Sequence, residues 1–306
     1  MPIINKFIKD GHQVIIGADR NPLAFLTQEF PSLKSFVIPG YEVNYGAKGS
    51  SLKLFYESVK FFNFIKEEHS FIDKIIEEYN IDVLVSDNRY GLWSKKVKSI
   101  IITHQLYVKA PFGEKIAHQK IDKLIRNFDE CWIPDVAGQV NMSGDLSHLH
   151  AINGKHKFIG SLSRFPVTDL SISIKKEYDV IAILSGPEPQ RAIFEKLVFQ
   201  EIKRNKLNAI IVRGLPKERT ELGSEINNVK VYNHLSTLLL EEYILKSRIV
   251  VCRAGYSSIM DLVALHKKAL LIPTPGQTEQ EYLSKYHLDE GNFHSQQQVG
   301  FDLEKG

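Results

Sequence analysis

The stretch Val251-Cys-Arg-Ala-Gly-Tyr-Ser-Ser-Ile-Met-Asp261 joins an apolar run to an amphipathic one through a turn of small residues. The residues that lead into it, Arg248-Ile-Val-Val251, are typical of a parallel strand that is buried on both faces. Residues 253–255 form the turn, and the apolar spacing after it predicts a helix that starts between Tyr256 and Ser258. A strand, a short turn and a helix in this order are the basic unit of a doubly wound α/β domain.

The same unit repeats around this stretch in the C-terminal half of the chain. Short apolar runs predict buried strands, with helices after the first strand and on either side of the fourth; the strands are 179–184, 208–212, 229–232, 248–251 and 269–272. A polar stretch at 161–177, rich in Ser, Thr, Pro and Lys, has neither helical nor strand periodicity and predicts a linker. The C-terminal half is therefore expected to be a Rossmann-like domain.

The N-terminal half alternates in the same way. A first helix ends at Asp10-Gly11, where glycine suits the left-handed position after a helix, and an apolar strand at 12–17 follows. Further strands are predicted at 34–38, 81–85, 99–103 and 130–133, with helices at 22–30, 50–79 and 114–128. The fold class is therefore α/β, with two Rossmann-like domains, 1–162 and 163–306, and a cleft between them.

Composition excludes several classes of protein. The 306 residues are 43% hydrophobic and 25% charged, so disorder and small disulfide scaffolds are excluded. A net charge of +3 argues against a nucleic-acid partner. Cys131 and Cys252 lie in different predicted strands and indicate neither a disulfide nor a metal site. The start of the sequence does not have the regions of a secretory signal, and a cytoplasmic location is expected.

The turn at 253–255 has the chemistry of a phosphate site. Small residues let the backbone N–H groups of a helix N-terminus approach an anion, and the helix dipole favours negative charge there. Asp261, about one turn into the helix, has a carboxylate that suits a ribose diol. The alternative is structural: Ser257 or Ser258 caps the helix and Gly255 makes the turn.

Two more segments in the C-terminal half have polar groups at strand ends. Ser185-Gly-Pro-Glu-Pro-Gln-Arg191 offers glycine and an arginine that suits a phosphate, although an ordinary turn with proline in the first helical turn explains it as well. The loop at 272–281 carries amides and carboxylates that suit a sugar ring, or is simply solvated. Together the three segments predict a site for a sugar diphosphate.

In this order the three segments resemble the C-terminal domain of glycosyltransferase family 28, over roughly 179–293. Its MurG-type members transfer N-acetylglucosamine from UDP to a lipid-linked acceptor. The resemblance implies that the diphosphate and the uridine are held by the loops after the strands, through Ser185, Gly186, Arg191, Leu235, Arg253, Gly255, Ser257 and Ser258. Leu235 corresponds to the region that borders the uracil.

The family's sugar-binding residues match this sequence less closely. Asp261 stands where the family generally has Glu on the ribose hydroxyls, which shortens the side chain by one methylene. Gln280 and Glu281, in the same loop as Gln277, stand where the family often has a Gln pair that reads the donor sugar. The resemblance therefore leaves the identity of the sugar open.

The N-terminal half resembles a subgroup of glycosyltransferases with Ser86-Asp-Asn-Arg-Tyr-Gly91 and Thr103-His-Gln-Leu106 at strand ends. Ligands of such sheets bind beyond the carboxyl ends of the strands, so an acceptor is expected there. Asp87 and His104 can accept a proton from an acceptor hydroxyl. In the structural alternative, Asp87 caps the next segment or pairs with Arg89, and His104 is hydrogen-bonded in a turn.

Two further features bear on the acceptor. The resemblance implies a first strand and a Gly-rich loop ahead of the helix that begins near Met1, and these are expected to be missing. An apolar run from Leu52 to Ile65, interleaved with lysines, suits peripheral contact with a membrane, or a helix buried among its neighbours.

The sequence therefore predicts a glycosyltransferase that moves a hexosyl group, N-acetylglucosaminyl or a close epimer, from a UDP-sugar to a hydroxyl of a glycan or lipid-linked acceptor. The resemblance implies inversion at the anomeric carbon. UDP-sugar is the substrate, and neither a cofactor nor an obligatory metal is expected. The alternatives are a nucleotide-sugar 2-epimerase and a truncated, non-catalytic UDP-sugar-binding protein; no Gly-x-Gly-x-x-Gly follows a strand, which disfavours a dehydrogenase.

Overall fold

The computed structural model describes residues 1–40, 51–109, 113–149, 154–167, 174–216 and 228–304, and at residues 20, 21 and 51–62 it describes the backbone alone. The elements up to residue 158 are α1 Pro2–Lys9, β1 Ile15–Ala18, α2 Arg20–Glu29, β2 Lys34–Val37, α3 Ser51–Tyr79, β3 Val83–Asp87, β4 Lys98–Ile102, α4 Glu114–Ile125, β5 Glu130–Ile133, α5 Asp145–His148 and β6 His156–Phe158. After them come β7 Tyr178–Ile183, α6 Gln190–Arg204, β8 Ala209–Val212, β9 Val229–Tyr232, α7 Thr237–Lys246, β10 Ser247–Cys252, α8 Tyr256–Ala264, β11 Ala269–Leu271, α9 Thr278–Asp289 and β12 His294–Ser295.

The C-terminal half is built on a six-stranded parallel sheet with the strand order β12-β11-β10-β7-β8-β9. The order reverses between β7 and β10, which are neighbours with Ile183 opposite Cys252. Ligands of open α/β sheets bind beyond the carboxyl ends of the strands at such a reversal. The loops that follow β7 and β10 leave the sheet side by side at this point.

The strands of this sheet are buried because helices pack against them. Phe194, Val198 and Ile202 of α6 are fully buried in a core with strand residues such as Val180 and Ile211. A strand buried in this way has no polar face, and the strands therefore read as continuous apolar runs. Burial also raises the pKa of the Cys252 thiol to about 12.

The second sheet, in the N-terminal half, is a four-stranded parallel sheet with the order β3-β4-β5-β6. Its core contains Ile101, Phe128 and Ile133. Cys131 lies in the same core, where burial raises the pKa of its thiol to about 12. Both cysteines are free. The predicted α/β architecture is confirmed, and β1 and β2 form a further two-stranded sheet separate from these two.

The chain divides into two compact units, and the division differs from the predicted one at the N-terminus. One unit contains Met1–Ile16, Asn21–Ser35 and Leu162–Gly306, and the other contains Gly17–Arg20 and Phe36–Ser161. The sequence assigned all segments before residue 36 to domain 1–162. In the structure, most of these segments belong to the same unit as the C-terminal half. The contacts of α2 include Gln28 Nε2 donating to Pro216 O at 3.2 Å, and Glu29 Oε1 accepting from Thr237 N at 3.0 Å.

Some elements differ from the sequence-based expectation. The first helix ends as predicted, with Gly11 in the left-handed region at a φ of 85°. The short strands β6 and β12 are not apolar runs and were not predicted. The segment 272–281 was predicted as a loop, but α9 begins within it at Thr278, so Gln280 and Glu281 lie in the first turn of a helix.

The described part of α3 buries one face, with Ile65, Ile72 and Ile76 in the protein interior. The apolar side chains from Leu52 to Phe62, on which the membrane hypothesis depends, lie outside the described side chains. Within the described ranges, no helix is both long enough and apolar enough to cross a bilayer.

Gly214 lies two residues after the end of β8, and its lack of a side chain lets the loop after β8 approach the loop after β7 closely. Its φ is 70°, and a Cβ at this position would lie 2.4 Å from the carbonyl oxygen of Leu184. We expect Gly214→Ala to lower the free energy of unfolding by about 3 kcal/mol, from backbone strain and the clash together. Urea denaturation measures this loss. Gly154→Ala, whose Cβ would meet nothing within 4 Å, is the control, and equal stability of the two variants would contradict the prediction.

Candidate active site

The loop after β7 is exposed at its third residue, Gly186, which has no side chain. Ser185 and Gly186 are exposed, and Gly186 has a φ of 102°. A Cβ on Gly186 would have only Thr274 Oγ1 near it, at 3.9 Å. The structure therefore places these two predicted residues where a ligand can approach the backbone, on the side of Thr274.

Arg253, the first residue after β10, is 1% exposed and holds several loops together. Its guanidinium donates to the carbonyl oxygens of Ile272 at 3.3 Å, Pro273 at 3.2 Å and Gln190 at 2.9 Å, and to Gln298 Oε1 at 2.7 Å. The group also stacks over the Phe194 ring at 4.2 Å. Four of its five N–H donors are thus used by the protein, so Arg253 acts on the site by fixing the loops.

The charge of Arg253 has no carboxylate partner among the described residues. Burial lowers the pKa of its guanidinium to about 10, so the group stays protonated at neutral pH. A buried cation without a counter-ion raises the electrostatic potential of its surroundings and favours an anion nearby. This favours a phosphate at the adjacent loops.

Helix α8 begins as predicted, and its first turn has no side-chain cap. Gly255 is the N-cap residue, and neither Ser257 nor Ser258 caps the helix, so the capping alternative is wrong. Ser257 is exposed and Ser258 half-buried. The backbone N–H groups of the first turn therefore have no side-chain acceptor, and Gly255 contributes no Cβ to hinder a ligand.

Arg191 is not open to a ligand in the way the sequence suggested. It is buried, and it forms ion pairs from Nε to Glu188 and from Nη1 to Glu195, each at 2.5 Å. Burial lowers the pKa of the guanidinium, the two carboxylates raise it more, and the net shift is upward. Glu195 also accepts from Arg213 at 2.8 Å. A charged network of this kind orders the start of α6 and leaves the charge of Arg191 largely balanced.

Asp261 is bound to the linker. Its Oδ1 accepts from Ser163 Oγ at 2.9 Å and from Arg164 N at 3.1 Å, and its Oδ2 accepts from Arg164 Nε at 2.8 Å. The Nη1 and Nη2 groups of Arg164 have no partner within the described part of the chain. Sequence reasoning missed Arg164 because it lies in a stretch without periodicity, and its position in the site depends on the fold.

The two residues predicted to read the sugar each bind the backbone of their own loop, and their role toward a sugar stays a prediction. Gln280 Oε1 accepts from Thr274 N at 2.8 Å, and Glu281 Oε1 accepts from Gly276 N at 2.8 Å. These contacts are possible because α9 begins at Thr278 and turns the first-turn side chains back toward the preceding backbone. Gln277, at the N-cap position of α9, has no side-chain capping bond.

After β9, the Leu235 side chain is buried in the core, whereas the neighbouring His234 side chain is half-buried. The Nε2 atom of His234 is buried without a hydrogen-bond partner. Burial lowers the pKa of His234, with Glu29 raising it and Arg164 lowering it further. The sequence-based assignment of Leu235 through backbone groups remains a prediction, and His234 is the side chain in this loop that offers a polar atom.

Polar atoms without partners concentrate at this edge of the C-terminal sheet. Across the described residues, six buried side-chain N or O atoms have no hydrogen-bond partner, and five of them follow β9, β10 or β11. The five are His234 Nε2, Thr237 Oγ1, Arg253 Nε, Thr274 Oγ1 and Gln277 Oε1. Such atoms are costly in a folded protein, and a concentration of them is typical of a site that a ligand completes.

The N-terminal half places Asp87 and His104 at the ends of the neighbouring strands β3 and β4. Part of Asp87 is exposed to solvent, yet the surrounding protein disfavours the charged carboxylate and raises its pKa, while His104 opposes this shift. Arg89 does not pair with Asp87: its Nε donates to the buried Glu68 at 2.6 Å. Among the described residues, the Asp87 carboxyl thus has no arginine partner, and the charge of His104 favours its ionised form.

The loop that carries Asp87 is held rigidly. Glu68 also accepts from Gly91 N at 3.1 Å, and Arg89 donates to Pro39 O. Asn88 Oδ1 accepts from Thr103 Oγ1 at 3.1 Å, which ties the ends of β3 and β4 together. In the part of the chain that the structure describes, no group of three or more His, Cys, Asp or Glu side chains is arranged to hold a metal ion.

Comparison with solved structures shows the same fold in several glycosyltransferases. SnogD from Streptomyces nogalater has a TM-score of 0.62 at 11% identity, over 99% of this chain and 84% of its own. MurG from Acinetobacter baumannii has a TM-score of 0.55 at 11% identity, over 99% of this chain and 83% of its own. The spinosyn rhamnosyltransferase SpnG, complexed with thymidine diphosphate, has a TM-score of 0.60 at 13% identity, over 96% and 81%.

The class of the protein follows from these likenesses and from the two parallel sheets: it has the fold of the GT-B glycosyltransferases, with two Rossmann-like domains. Residues 186–292 match the model of the glycosyltransferase family 28 C-terminal domain. The C-terminal half of the chain therefore contains a domain of the glycosyltransferase family 28 C-terminal type, in a chain that has the GT-B fold. No curated protein matches it by sequence.

If Arg253 holds the loops through its planar fork, a lysine cannot replace it. We expect Arg253→Lys to lower the free energy of unfolding by about 3 kcal/mol, because an ammonium group cannot reach the separated carbonyls that the guanidinium bridges. Urea denaturation of Arg253→Lys and of the control Arg248→Lys, whose arginine is 70% exposed, measures the difference. A loss below about 0.5 kcal/mol for Arg253→Lys, the range of ordinary surface substitutions, would contradict this role.

Proposed function

We propose that this glycosyltransferase moves a hexosyl group, N-acetylglucosaminyl, from a UDP-sugar to a hydroxyl of a glycan or lipid-linked acceptor. The reaction inverts the anomeric carbon and has no obligatory metal ion. The observation that carries the donor site is the concentration of five unpartnered polar atoms after strands of the C-terminal sheet, three of them after β10 and β11 on one side of the strand reversal. A nucleoside diphosphate sugar offers both donors and acceptors for such atoms.

The diphosphate is assigned to the first turn of α8. Its uncapped N–H groups and the Cβ-free approach at Gly255 suit a phosphate oxygen, and the charge of Arg253 lies at the same turn. Arg164 adds a cation whose Nη1 and Nη2 groups are unpaired among the described residues. Fixed dipoles and cations of this kind stabilise a leaving diphosphate, because they need no rearrangement as its charge develops.

Asp261 is assigned two tasks. A carboxylate accepts about four hydrogen bonds, and three are made with the linker, so one lone pair of Oδ2 is left for a ribose hydroxyl. The same carboxylate orients Arg164. The shorter side chain at this position, Asp where the family generally has Glu, is thus compatible with a carboxylate that binds the linker and the ribose together.

In the proposed reaction the acceptor hydroxyl attacks the anomeric carbon, a new C–O bond forms, and the bond from that carbon to the diphosphate oxygen breaks. The proton of the hydroxyl passes to Asp87, with His104 beside it. A carboxyl whose pKa is raised is a stronger base when deprotonated, which suits this role. The neighbour SpnG, complexed with thymidine diphosphate, supports a nucleoside diphosphate as the leaving group.

Calorimetric titration with UDP, UDP-N-acetylglucosamine, UDP-galactose and NAD tests the donor site. We expect the uridine nucleotides to bind and NAD not to bind. Gly255→Ala should weaken UDP binding at least about tenfold, since a methyl group would obstruct the phosphate. Folding should change by less than about 1 kcal/mol, because φ is −81° and the Cβ would meet only Ser258 Oγ, at 3.9 Å.

Gly154→Ala is the matched control, since its Cβ also meets open space and it lies in the other half of the chain. A folded protein that binds no uridine nucleotide would refute the donor assignment. Equal UDP affinity in the wild type and Gly255→Ala would refute the phosphate site at α8. Product analysis without an acceptor also separates transfer from 2-epimerisation, which would convert the sugar nucleotide alone.

Asp87→Asn tests the proton acceptor. We expect kcat for UDP release, with free oligosaccharides and prenyl-diphosphate-linked sugars as acceptors, to fall at least about 100-fold. The affinity for UDP should stay within about twofold. In the wild type, kcat/KM should fall toward acid pH with a midpoint above the ordinary Asp value of 3.8, because protonation of a carboxyl with a raised pKa removes the base.

Asp82→Asn, an exposed carboxylate just before β3 at the opposite end of the strand, is the control and should leave kcat unchanged. Retention of kcat in Asp87→Asn would contradict the assignment of Asp87. If kcat falls in His104→Gln and not in Asp87→Asn, the imidazole accepts the proton.

A further inference from the structure

Asp87 ends β3, His104 follows β4, and one buried hydroxyl contacts both turns. Thr103, the first residue after β4, donates from Oγ1 to Asn88 Oδ1 at 3.1 Å, and the same atom accepts from Gln105 N at 3.1 Å. We infer that Thr103 is a positioning residue, whose hydroxyl fixes His104 relative to the Asp87 carboxyl. The inference rests on the proposed reaction, in which Asp87 accepts the proton of the acceptor hydroxyl.

Thr103 is itself held firmly. The residue is 2% exposed, and its backbone N–H donates to Trp132 O of β5 at 3.0 Å. Its hydroxyl hydrogen is used toward Asn88, and its oxygen accepts from Gln105. A rotation of the hydroxyl would leave a polar group unpaired, which costs free energy in a buried place. The Thr103 hydroxyl is therefore a fixed point between the two turns.

The turn after Asp87 is anchored to this point through Asn88. The register pairs Asp87 with Ile102, and Asn88 N extends the ladder by donating to Ile102 O at 2.9 Å. Asn88 then has a φ of 52°, in the left-handed region that asparagine tolerates. Its Oδ1 accepts from Tyr90 OH at 3.3 Å as well as from Thr103. The residue next to Asp87 therefore has its side chain bound to two hydroxyls.

The turn that carries His104 is closed by the same hydroxyl. The hydrogen bond from Gln105 N to Thr103 Oγ1 runs from one neighbour of His104 to the other. A threonine that binds the N–H two residues later forms a local turn, and the residue between them is enclosed in it. His104, which is half-buried, therefore has a backbone position that depends on the Thr103 hydroxyl.

The position of His104 matters because its charge acts on Asp87. Burial raises the pKa of Asp87, and the charge of His104 opposes this rise. The interaction between two charges weakens as their separation grows. The other charged side chain of the β3 turn, Arg89, pairs with the buried Glu68 at 2.6 Å. Whatever holds His104 in place therefore controls how strong a base the Asp87 carboxylate is.

Two substitutions at Thr103 test the role of the hydroxyl. Thr103→Val is nearly isosteric and removes both hydrogen bonds, whereas Thr103→Ser keeps the hydroxyl. We expect kcat to fall about tenfold in Thr103→Val, because a displaced catalytic group lowers the rate, and to stay within about threefold in Thr103→Ser. The affinity for UDP should stay within about twofold in both variants.

The pH dependence separates positioning from a merely structural role. Once His104 is released in Thr103→Val, the Asp87 carboxylate loses a favourable charge, so the pKa of Asp87 and the acid limb of kcat/KM should move to higher pH. Carbon-13 NMR of the Asp87 carboxyl, assigned by comparison with Asp87→Asn, measures this pKa without any substrate. Thr27→Val removes a hydroxyl that donates to Leu23 O within α2; it is the control and should change neither kcat nor the pKa.

Asn88→Gly removes the same hydrogen bond from its other partner and still allows the left-handed turn, so it should raise the pKa of Asp87 too. This variant decides the question if Thr103→Val does not fold. A pKa of Asp87 that stays or falls in the folded variants would overturn the inference, and so would an equal loss of kcat in Thr103→Ser and Thr103→Val. Retention of kcat in Asp87→Asn would instead refute the proposed reaction, and the role of Thr103 in it.

Discussion

The site depends on one buried cation. Arg253 lies at the strand reversal of the C-terminal sheet. It binds the backbone of Gln190 at the start of α6 and of Ile272 and Pro273 after β11, and it binds the side chain of Gln298. Four hydrogen bonds and the Phe194 ring offset the cost of burying the guanidinium, although no carboxylate among the described residues neutralises it. The group therefore fixes the loops and gives them a positive potential.

Other long polar side chains of the proposed site are also used within the protein. Arg191, Gln280 and Glu281 are each bound to neighbouring protein groups. Their task is to keep three loops in place. In the proposed donor site, direct contacts to the ligand fall to the uncapped first turn of α8 and to polar atoms that burial has separated from water.

Sequence reasoning predicted the sheet well and the side-chain contacts poorly, and the physical reasons differ. The strand predicted at 229–232 is observed with the same bounds, and the one predicted at 179–184 is shifted by one residue, because strands buried on both faces must be apolar throughout. The helix start at Tyr256 and the left-handed Gly11 follow from local chemistry as well. These features are encoded within a few residues.

The contacts of the site are not encoded locally. Asp261 meets Ser163 and Arg164, which lie nearly a hundred positions earlier, and Thr237 meets Glu29, about two hundred positions away. Neither pairing leaves a pattern in one sequence. The start of α9 at Thr278 was missed because its first turn is polar.

Hydrogen exchange of the backbone amides, with and without UDP, tests the central claim most directly. The account predicts that UDP slows exchange in three segments of the C-terminal half, around residues 184–192, 253–261 and 273–281, with the strongest effect at the first turn of α8. Slowed exchange confined to other segments, or no change at UDP concentrations that saturate binding, would contradict it.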